Sequence, residues 1–343
     1  MILKGLGLWL LNFETKLCEQ MKLASYKDGT RDGQLVVVSR DLSMAHYATG
    51  IAHTLAQVMD DWNFISPQLQ DLSVTLNQGK ARHAFPFDPR MCMAPMPRAR
   101  QWLHVPLGAE PLQPQKQAAL VAGDPSRLQG AHAALGLNPD ESAALDLEAQ
   151  WAVICGDVAA GVKPTEALAG VRLLMIAADL VWRQHEPAGA MPSVASRPAT
   201  VFAPVAVTPD ELGEAWQGGR VGLSLQWAVN TRKLGLCDGA DMPYGVGPLL
   251  AQASANRALT TGTIVGMGPW LSPADESTNL YPKGGTCLAH RRAMESAQGG
   301  TVTAPWLQPD DVVRLEAKGR DGQTVFGAIE LRVGTTADLP LSP

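Results

Sequence analysis

The stretch Leu145-Asp146-Leu147-Glu148-Ala149-Gln150-Trp151-Ala152-Val153-Ile154-Cys155 alternates between apolar and polar side chains. Every second residue from Leu145 to Val153 is apolar, and the intervening residues begin with Asp146, Glu148 and Gln150. A period of two is the repeat of a β-strand, whose successive side chains point to opposite faces of a sheet. The pattern therefore predicts a half-buried strand with one apolar face and one polar face.

Glu148 and Gln150 form the chemically informative pair on the polar face. Two oxygen-bearing side chains two residues apart point the same way, so a single strand can supply two ligands to a hard cation. Only one member of this pair is a carboxylate, because the other is an amide. We expect weaker Mg²⁺ binding than two carboxylates would give, and Ca²⁺ to tolerate the amide better.

Further segments, taken with this strand, resemble the fumarylacetoacetate hydrolase family. They are KDGTRDGQLVVV at 27–38, RPAT at 197–200, PVAVTPDELG at 204–213, GTIVG at 262–266 and FGAI at 326–329. The resemblance implies a mixed β-rich (α+β) fold in which a small N-terminal β-rich domain precedes a β-roll main domain. It also implies a homodimer. The expected boundaries are an extension at 1–20, the small domain at 21–97, the main domain at 98–335 and a tail at 336–343.

The resemblance also implies a reaction. In this family a Glu-x-Glu strand and an Asp hold Mg²⁺ or Ca²⁺, which grips a 1,3-dicarbonyl substrate, while a His–Glu pair activates water. Hydroxide adds to one carbonyl, the C–C bond breaks, and the metal and a cationic side chain stabilise the enolate. Some relatives use the same stabilisation to decarboxylate or isomerise. We therefore expect an enzyme, a hydrolase of C–C bonds, acting on a small β-dicarbonyl or acylpyruvate-like acid, or a related isomerase, decarboxylase or cyclase.

The resemblance assigns roles to seven residues. The metal ligands would be Glu148, Gln150 and Asp179. The catalytic residues would be His104, Arg183 and Arg197, and Thr263 would contact a substrate carboxylate.

Several departures from the family pattern fall where the family does its chemistry. Pro106 stands where an acid would orient His104, and Gln150 replaces the second Glu. Ala178 stands for an Asn beside Asp179, and Arg197 stands for a Lys; the two cations are not interchangeable at a tight site. The expectation is weakened metal dependence, with Mg²⁺ or Ca²⁺ held loosely or not at all.

Other interpretations of these residues remain open. Glu148 and Asp179 could pair with Arg183 or Arg197 as buried ion pairs. His104 could be an ordinary loop histidine, and Thr263 an ordinary strand residue. The chain could then be a non-catalytic homologue that binds a ligand or partner, or a metal-free biosynthetic enzyme using His104 and Arg197 as base and acid. An open pocket beside Glu148 favours an enzyme, whereas a pocket filled by Trp151 or Trp182 favours a binding protein.

Composition excludes several classes of protein. The chain has 343 residues, 46% hydrophobic and 18% charged, with a net charge of −5 and no basic cluster, so neither nucleic acid nor an anionic membrane is the expected partner. The five dispersed cysteines indicate neither a disulfide framework nor a zinc site, which favours a reduced, cytoplasmic protein. The apolar run at 5–11 is too short to span a bilayer. We interpret residues 1–20 as an extension upstream of a family start at Met21.

Local patterns predict the remaining elements. The turn residues at 27–33 predict a hairpin, and apolar residues at helical spacing predict two helices between 51 and 76. Four prolines make 85–97 a predicted linker, and 103–139 a predicted loop with one short helix at 115–121. Strands are predicted at 223–229 and 262–265. A hairpin across Asp321-Gly322 is predicted to pair 312–317 with 324–329.

Overall fold

The computed structural model describes residues 20–113, 119–137, 144–186 and 194–335. The expected N-terminal extension, apart from Gln20, and the expected tail at 336–343 lie outside the described residues, as does most of the predicted helix at 115–121. The described strands, in chain order, are β1 (Lys22–Tyr26), β2 (Gln34–Val38), β3 (Met44–Tyr47), β4 (Phe85–Pro86), β5 (Gln101–His104), β6 (Val121–Ala122), β7 (Leu128–Gln129), β8 (Ala134–Leu137), β9 (Leu145–Cys155), β10 (Val171–Trp182), β11 (Thr200–Phe202), β12 (Ala206–Val207), β13 (Trp216–Gln217), β14 (Arg220–Val221), β15 (Ser224–Val229), β16 (Arg232–Asp238), β17 (Thr263–Met267), β18 (Val312–Ala317) and β19 (Ile329–Thr335).

Two sheets carry nearly all of these strands. The larger has the order β4-β3-β2-β1-β12-β10-β9-β17-β5-β6, with β11 and β7 branching from β10. The smaller has the order β16-β15-β18-β19-β8, and β13 pairs only with β14. The N-terminal strands continue the main sheet through the β1–β12 pairing, so one sheet runs through both parts of the chain.

The larger sheet buries both of its faces. One face, including Leu147, Trp151 and Ile176, packs against the smaller sheet in one hydrophobic core. The other face, including Ile154 and Met175, packs under the N-terminal helices in a second core. Side chains on β9 therefore alternate between two interiors rather than between an interior and water.

Five α-helices lie in the described part of the chain: α1 (Leu55–Asp60), α2 (Trp62–Asn77), α3 (Pro164–Ala167), α4 (Val246–Ala253) and α5 (Leu288–Ala297). Thr54 and Gln57 form a capping box that starts α1. The helices α1 and α2 cover the second core, as the helical spacing of their apolar residues predicts. Within the described residues, no helix combines the length and apolar character needed to span a membrane.

The mixed β-rich α+β fold is confirmed, and so are the first hairpin and the strands at 223–229 and 262–265. Strand β9 is not half-buried, because all eleven of its residues are buried between the two cores. The proline-rich stretch 85–97 is not a free linker, since Cys92, Ala94 and Met96 pack into the interior. The predicted loop at 103–139 contains the short strands β6, β7 and β8.

The predicted partner of β18 is only partly correct. Strand β18 pairs with β19 from Val312↔Arg332 to Leu315↔Ile329, so Ile329 is the one residue of the predicted segment 324–329 that lies in the partner strand, while Thr324 forms an isolated bridge with Lys318. The turn at Gly322 exists, with φ of 77°. Gly327, with φ of 74°, then interrupts the extended backbone, and a Cβ there would lie 2.9 Å from the ring of Pro204. The strand can resume only after it.

Candidate functional site

The antiparallel pairing of β9 and β10 creates a polar cluster at one end of the main sheet. Glu148 stands directly opposite Asp179, and Gln150 stands opposite Ala177. Directly paired residues point to the same face, so Asp146, Glu148, Gln150 and Asp179 share one face. All four are at most 1% exposed.

Arg197 is the centre of this cluster. Its Nη1 donates to Glu148 Oε2 at 2.9 Å and also to Asp179 Oδ2, and its Nη2 donates to Glu186 at 3.2 Å. Thr200, on the neighbouring β11, donates its hydroxyl to the other oxygen of Asp179 at 2.6 Å. One guanidinium nitrogen therefore bridges the two carboxylates that β9 and β10 bring together.

Arg183 supports the other side of Glu148. Its Nη2 lies 2.9 Å from Glu148 Oε1 and 2.8 Å from Asp146 Oδ2, and its Nη1 lies 2.8 Å from Glu186. Asp146 also accepts from the backbone N–H groups of Leu288 and Ala289, at 2.7 and 3.0 Å, in the first turn of α5. A carboxylate is favoured there because the first N–H groups of a helix have no intrahelical acceptor.

His104 ends β5 and enters the cluster from the opposite side. Its Nδ1 lies 3.8 Å from Asp179 Oδ2, and its ring stacks on Trp102 with centroids 5.4 Å apart. Burial lowers the pKa of His104 below its usual value, and the opposing effect of Asp179 does not cancel this. The imidazole is therefore neutral at pH 7. The carboxylate of Asp179, on β10, lies close to the ring but makes no hydrogen bond with it.

Three buried polar groups in this region have no hydrogen-bond partner among the described residues. They are both ring nitrogens of His104, both amide atoms of Gln150 and Nε of Arg197. A Cβ on Gly266 would lie 2.4 Å from Gln150 Oε1, so glycine is what leaves room for the amide. A buried polar group without a partner costs about 1–3 kcal/mol, and a concentration of them indicates a place for water or a ligand.

The electrostatics of the cluster are those of mutually neutralising charges. Burial alone would raise the pKa of Glu148, but Arg197 and Arg183 outweigh it and lower that pKa from 4.5 to about 2. Burial would lower the pKa of Arg197, and Glu148 and Asp179 outweigh that effect in turn. At neutral pH, Glu148 and Arg197 therefore remain charged and paired.

The site can be tested for a metal. Ligand atoms of His104, Glu148 and Asp179 lie within 4.8 Å of one another, so the three could hold a divalent ion. The point between Glu148 Oε2 and Asp179 Oδ2 is, however, taken by Arg197 Nη1. An ion binding both oxygens would have to displace this guanidinium. With Arg197 in this position, the donor set does not fit a resident metal.

A cavity of about 400 Å³ adjoins the cluster. Leu107 lines it, and the Leu107 backbone N–H lies 3.4 Å from Glu148 Oε1. Tyr244 also lines it, and burial, with a smaller contribution from Glu148, raises the pKa of that phenol. Neither Trp151 nor Trp182 fills it, since neither is among the residues that line it.

The wall of this cavity is aromatic and acidic. Tyr244, Trp270 and Tyr281 supply aromatic surface, and Glu110 and Asp241 supply carboxylates. Among the residues that the structure describes, no Lys or Arg lines it. Lys283 lies just outside the lining, with its Nζ 3.3 Å from Asp241 Oδ2. Arg183 and Arg197 contact Glu148, whose Oε1 also accepts from the backbone N–H of the lining residue Leu107.

The structure brings six of the seven sequence-derived site residues into one region and leaves one out. Thr263 pairs with Cys155, which lies five residues along β9 from Gln150, or roughly 17 Å at the rise of a strand. Its hydroxyl donates to the carbonyl of Thr260 at 2.7 Å, which stabilises a turn. The substrate-contact role of Thr263 therefore stays a prediction.

Two participants were not predicted as site residues. Asp146 appears in the alternating pattern of β9 but its role depends on α5, which lies 142 residues away in sequence. Glu186 binds both arginines from the 3₁₀ turn after β10. A polar residue at every second position of a buried strand was the available signal for Asp146; no local pattern marks Glu186.

Comparison with protein families gives two matches. The model described as fumarylacetoacetase N-terminal domain 2 matches residues 21–98, and the model described as fumarylacetoacetate (FAA) hydrolase C-terminal matches residues 99–334. A search among curated proteins found no match to this chain.

Solved structures with similar folds cover nearly the whole chain. A probable 2-hydroxyhepta-2,4-diene-1,7-dioate isomerase from Mycobacterium abscessus has a TM-score of 0.65 at 18% identity, covering 94% of this chain and 100% of its own. Fumarylacetoacetate hydrolase from Exiguobacterium antarcticum has a TM-score of 0.60 at 16% identity, covering 92% and 99%. Maleylpyruvate hydrolase from Sphingobium sp. SYK-6, solved with manganese(II) and pyruvate, has a TM-score of 0.60 at 16% identity, covering 92% and 100%. At these identities the likeness is one of fold.

Proposed function

The chain belongs to the fumarylacetoacetate hydrolase family, and from that premise we propose that it is an enzyme acting on a small acylpyruvate-like β-dicarbonyl acid. The chemistry is hydrolysis of a C–C bond or a related step through an enolate, such as isomerisation, decarboxylation or cyclisation. The names of the similar structures, which include hydrolases and isomerases, support this range.

One observation carries the proposal. His104, Gln150 and the Arg197 Nε–H are buried without hydrogen-bond partners, next to the paired carboxylates Glu148 and Asp179. A protein that kept the fold only for packing would replace such groups by apolar ones, because leaving them unpaired destabilises it. A substrate with several oxygens would satisfy them.

We assign roles from the contacts. His104 is the general base, because its imidazole is neutral at pH 7 and both nitrogens are unpartnered. It would take a proton from water as the oxygen adds to a carbonyl carbon. The C–C bond then breaks, its electron pair goes to the enolate, and the cation of Arg197 stabilises the enolate oxygen. Arg183 is a positioning residue that holds Glu148.

The cavity narrows the proposed substrate class. We assign the pyruvyl carboxylate to Arg183 and Arg197 beside Glu148, whereas the cavity wall combines aromatic rings with Glu110 and Asp241. Lys283 pairs with Asp241 at 3.3 Å, so a second carboxylate on the acyl group would face mainly the like charge of Glu110, which disfavours binding. We therefore propose a monocarboxylate with an apolar or aromatic acyl group, rather than a dicarboxylate.

The remaining properties follow from the sequence expectations. If Arg197 moves aside, Glu148, Asp179 and His104, with Gln150 beside them, would be the ligands of a weakly held Mg²⁺ or Ca²⁺. The four cysteines in the described part of the chain are buried and unpaired, which supports a cytoplasmic location. We propose a homodimer on the strength of the family resemblance alone.

The test is a substrate screen with purified, chelator-treated full-length protein. Benzoylpyruvate, acetylpyruvate, fumarylpyruvate and oxaloacetate are followed by loss of enol absorbance and by product analysis, with and without added Mn²⁺. We expect turnover of an acylpyruvate, with kcat/KM for benzoylpyruvate about 10-fold above that for fumarylpyruvate.

Two variants give the comparison its control. His104→Gln should lower kcat by about 100-fold or more, the usual contribution of a general base. His53→Gln changes an exposed histidine whose only described ion-pair partner is Asp28, so it should leave activity unchanged. Folded protein that turns over no compound of the series would contradict the enzyme and favour a ligand-binding homologue.

A further inference from the structure

We infer that Arg197 is a built-in cation that takes the place of the divalent metal between Glu148 and Asp179, so that the site works with a guanidinium and excludes metal ions. This goes beyond the proposed function, and a metal titration tests it whichever substrate proves correct.

Arg197 occupies the position that a metal ion would need. The two carboxylates nearest to each other across β9 and β10 share a single nitrogen, Arg197 Nη1. Any ion ligated by both Glu148 Oε2 and Asp179 Oδ2 must occupy the space between these oxygens. That space cannot hold an ion and the guanidinium nitrogen at once.

Arg197 is also held firmly in this position. Its Nη2 is anchored on Glu186, and its side chain is only 5% exposed. Swinging out to admit an ion would break contacts with three carboxylates and leave a cation to be accommodated elsewhere in a buried region. A lysine ammonium is a compact point charge, whereas the planar guanidinium reaches several acceptors at once. Arginine at this position can therefore occupy a metal site by binding several of its carboxylates at once.

The remaining donor groups carry too little negative charge to favour a divalent ion. Replacing a carboxylate by the Gln150 amide removes one negative charge, and no described cation contacts that amide. Glu148 is further neutralised by Arg183 on its other oxygen. Each of these changes lowers the affinity for a divalent ion. Both are expected of a site in which Arg197, and not a metal ion, supplies the positive charge.

The experiment measures Mn²⁺ binding by calorimetry and electron paramagnetic resonance on chelator-treated, full-length protein. Wild type should bind with a Kd weaker than about 1 mM, and Arg197→Ala should bind at least about 100-fold more tightly, a gain of about 2.7 kcal/mol. The double variant Arg197→Ala with Glu148→Gln should lose this gain. Arg183→Ala is the matched control, because it also removes a cluster arginine from Glu148 but leaves Nη1 of Arg197 in place.

Each outcome decides the question. Wild-type binding with a Kd below about 1 mM, abolished by Glu148→Gln, overturns the inference, as does a folded Arg197→Ala protein that binds no better than wild type. Equal gains in the Arg197 and Arg183 variants would also overturn it, because the effect would then be one of charge alone. If Arg197→Ala does not fold, the wild-type titration still decides. An inactive protein that follows the expected metal pattern would reject the proposed function and retain this inference.

Discussion

Replacing Glu148 by glutamine should destabilise the protein strongly at neutral pH and less in acid. The substitution keeps the size of the side chain and removes one negative charge from the middle of the buried cluster. Arg197 and Arg183 would each lose a carboxylate partner at 2.9 Å. Removing one member of a buried ion pair is costly because it leaves the other charge buried and uncompensated.

The magnitude follows from the pKa. The Glu148 pKa falls from 4.5 to about 2 in the folded protein. A shift of one unit corresponds to 1.36 kcal/mol, so ionised Glu148 contributes about 3 kcal/mol to the free energy of unfolding at pH 7. This agrees with the ~3–5 kcal/mol usually lost when a buried pair is broken.

The sign of the pH dependence follows from the direction of the shift. Because the folded pKa is the lower one, the contribution is fully present above the unfolded pKa of 4.5 and is lost as the pH falls towards 2. The difference between wild type and Glu148→Gln should therefore shrink from about 3 kcal/mol at pH 7 to about 2 kcal/mol at pH 3.5.

Urea unfolding followed by tryptophan fluorescence measures this difference at pH 7, 5 and 3.5. Glu214→Gln serves as the control, since Glu214 is 73% exposed and pairs with Arg320 at the surface, where a change within about 0.5 kcal/mol is expected. A loss below about 1 kcal/mol for Glu148→Gln at pH 7, or a difference that does not shrink in acid, would refute this account of the cluster.

Three further predictions concern other parts of the structure. Asp146→Asn should lower the free energy of unfolding by about 3 kcal/mol and speed hydrogen exchange in the first turn of α5, because Arg183 and two backbone donors lose a carboxylate; unchanged exchange there would contradict the capping role. Gly266→Ala should cost about 1–3 kcal/mol in the same unfolding assay, since its Cβ would overlap Gln150, and a neutral result would mean that the amide can move away. The pKa of Lys22 is lowered from 10.5 to about 8, chiefly because the side chain is buried. The charged form therefore opposes folding below pH 8, and the free energy of unfolding rises as this opposition fades between pH 8 and pH 10.5. Lys22→Met should remove that rise in stability relative to wild type, and parallel pH curves for the two proteins would reject the shift.

The alternating pattern of 145–155 was sufficient to predict β9 and which of its residues share a face. It was not sufficient to predict that both faces are buried, because that depends on helices α1 and α2, encoded about 80 residues earlier, and on the smaller sheet, encoded mostly later. The family resemblance supplied the link between Glu148 and Asp179, which no periodicity contains. The pattern within a segment predicts its secondary structure, whereas the residues that pack against its faces come from distant parts of the chain.

The contacts of Arg197 show the same division. Its charge and its place near the acids were expected, and pairing with them was one of the two open interpretations. That one nitrogen bridges both carboxylates depends on the register of β9, β10 and β11 and on a 3₁₀ turn that supplies Glu186. Thr263 illustrates a related point: its strand was predicted correctly, but which end of that strand faces the cluster was not. Predicting where a residue of a strand lies relative to the cluster requires the pairing register, which the sequence alone did not determine.

The side chain of Asp146 joins β9 to the start of α5 across 142 residues of sequence. Contacts separated by this length of chain must wait until the intervening segments have been brought together, so their closure entropy is met late in folding. The contact between β9 and α5 should therefore form late in folding. A substitution at Asp146 would then raise the rate of unfolding and leave the rate of folding nearly unchanged. The lifetime of the intact site would therefore be set by the unfolding rate.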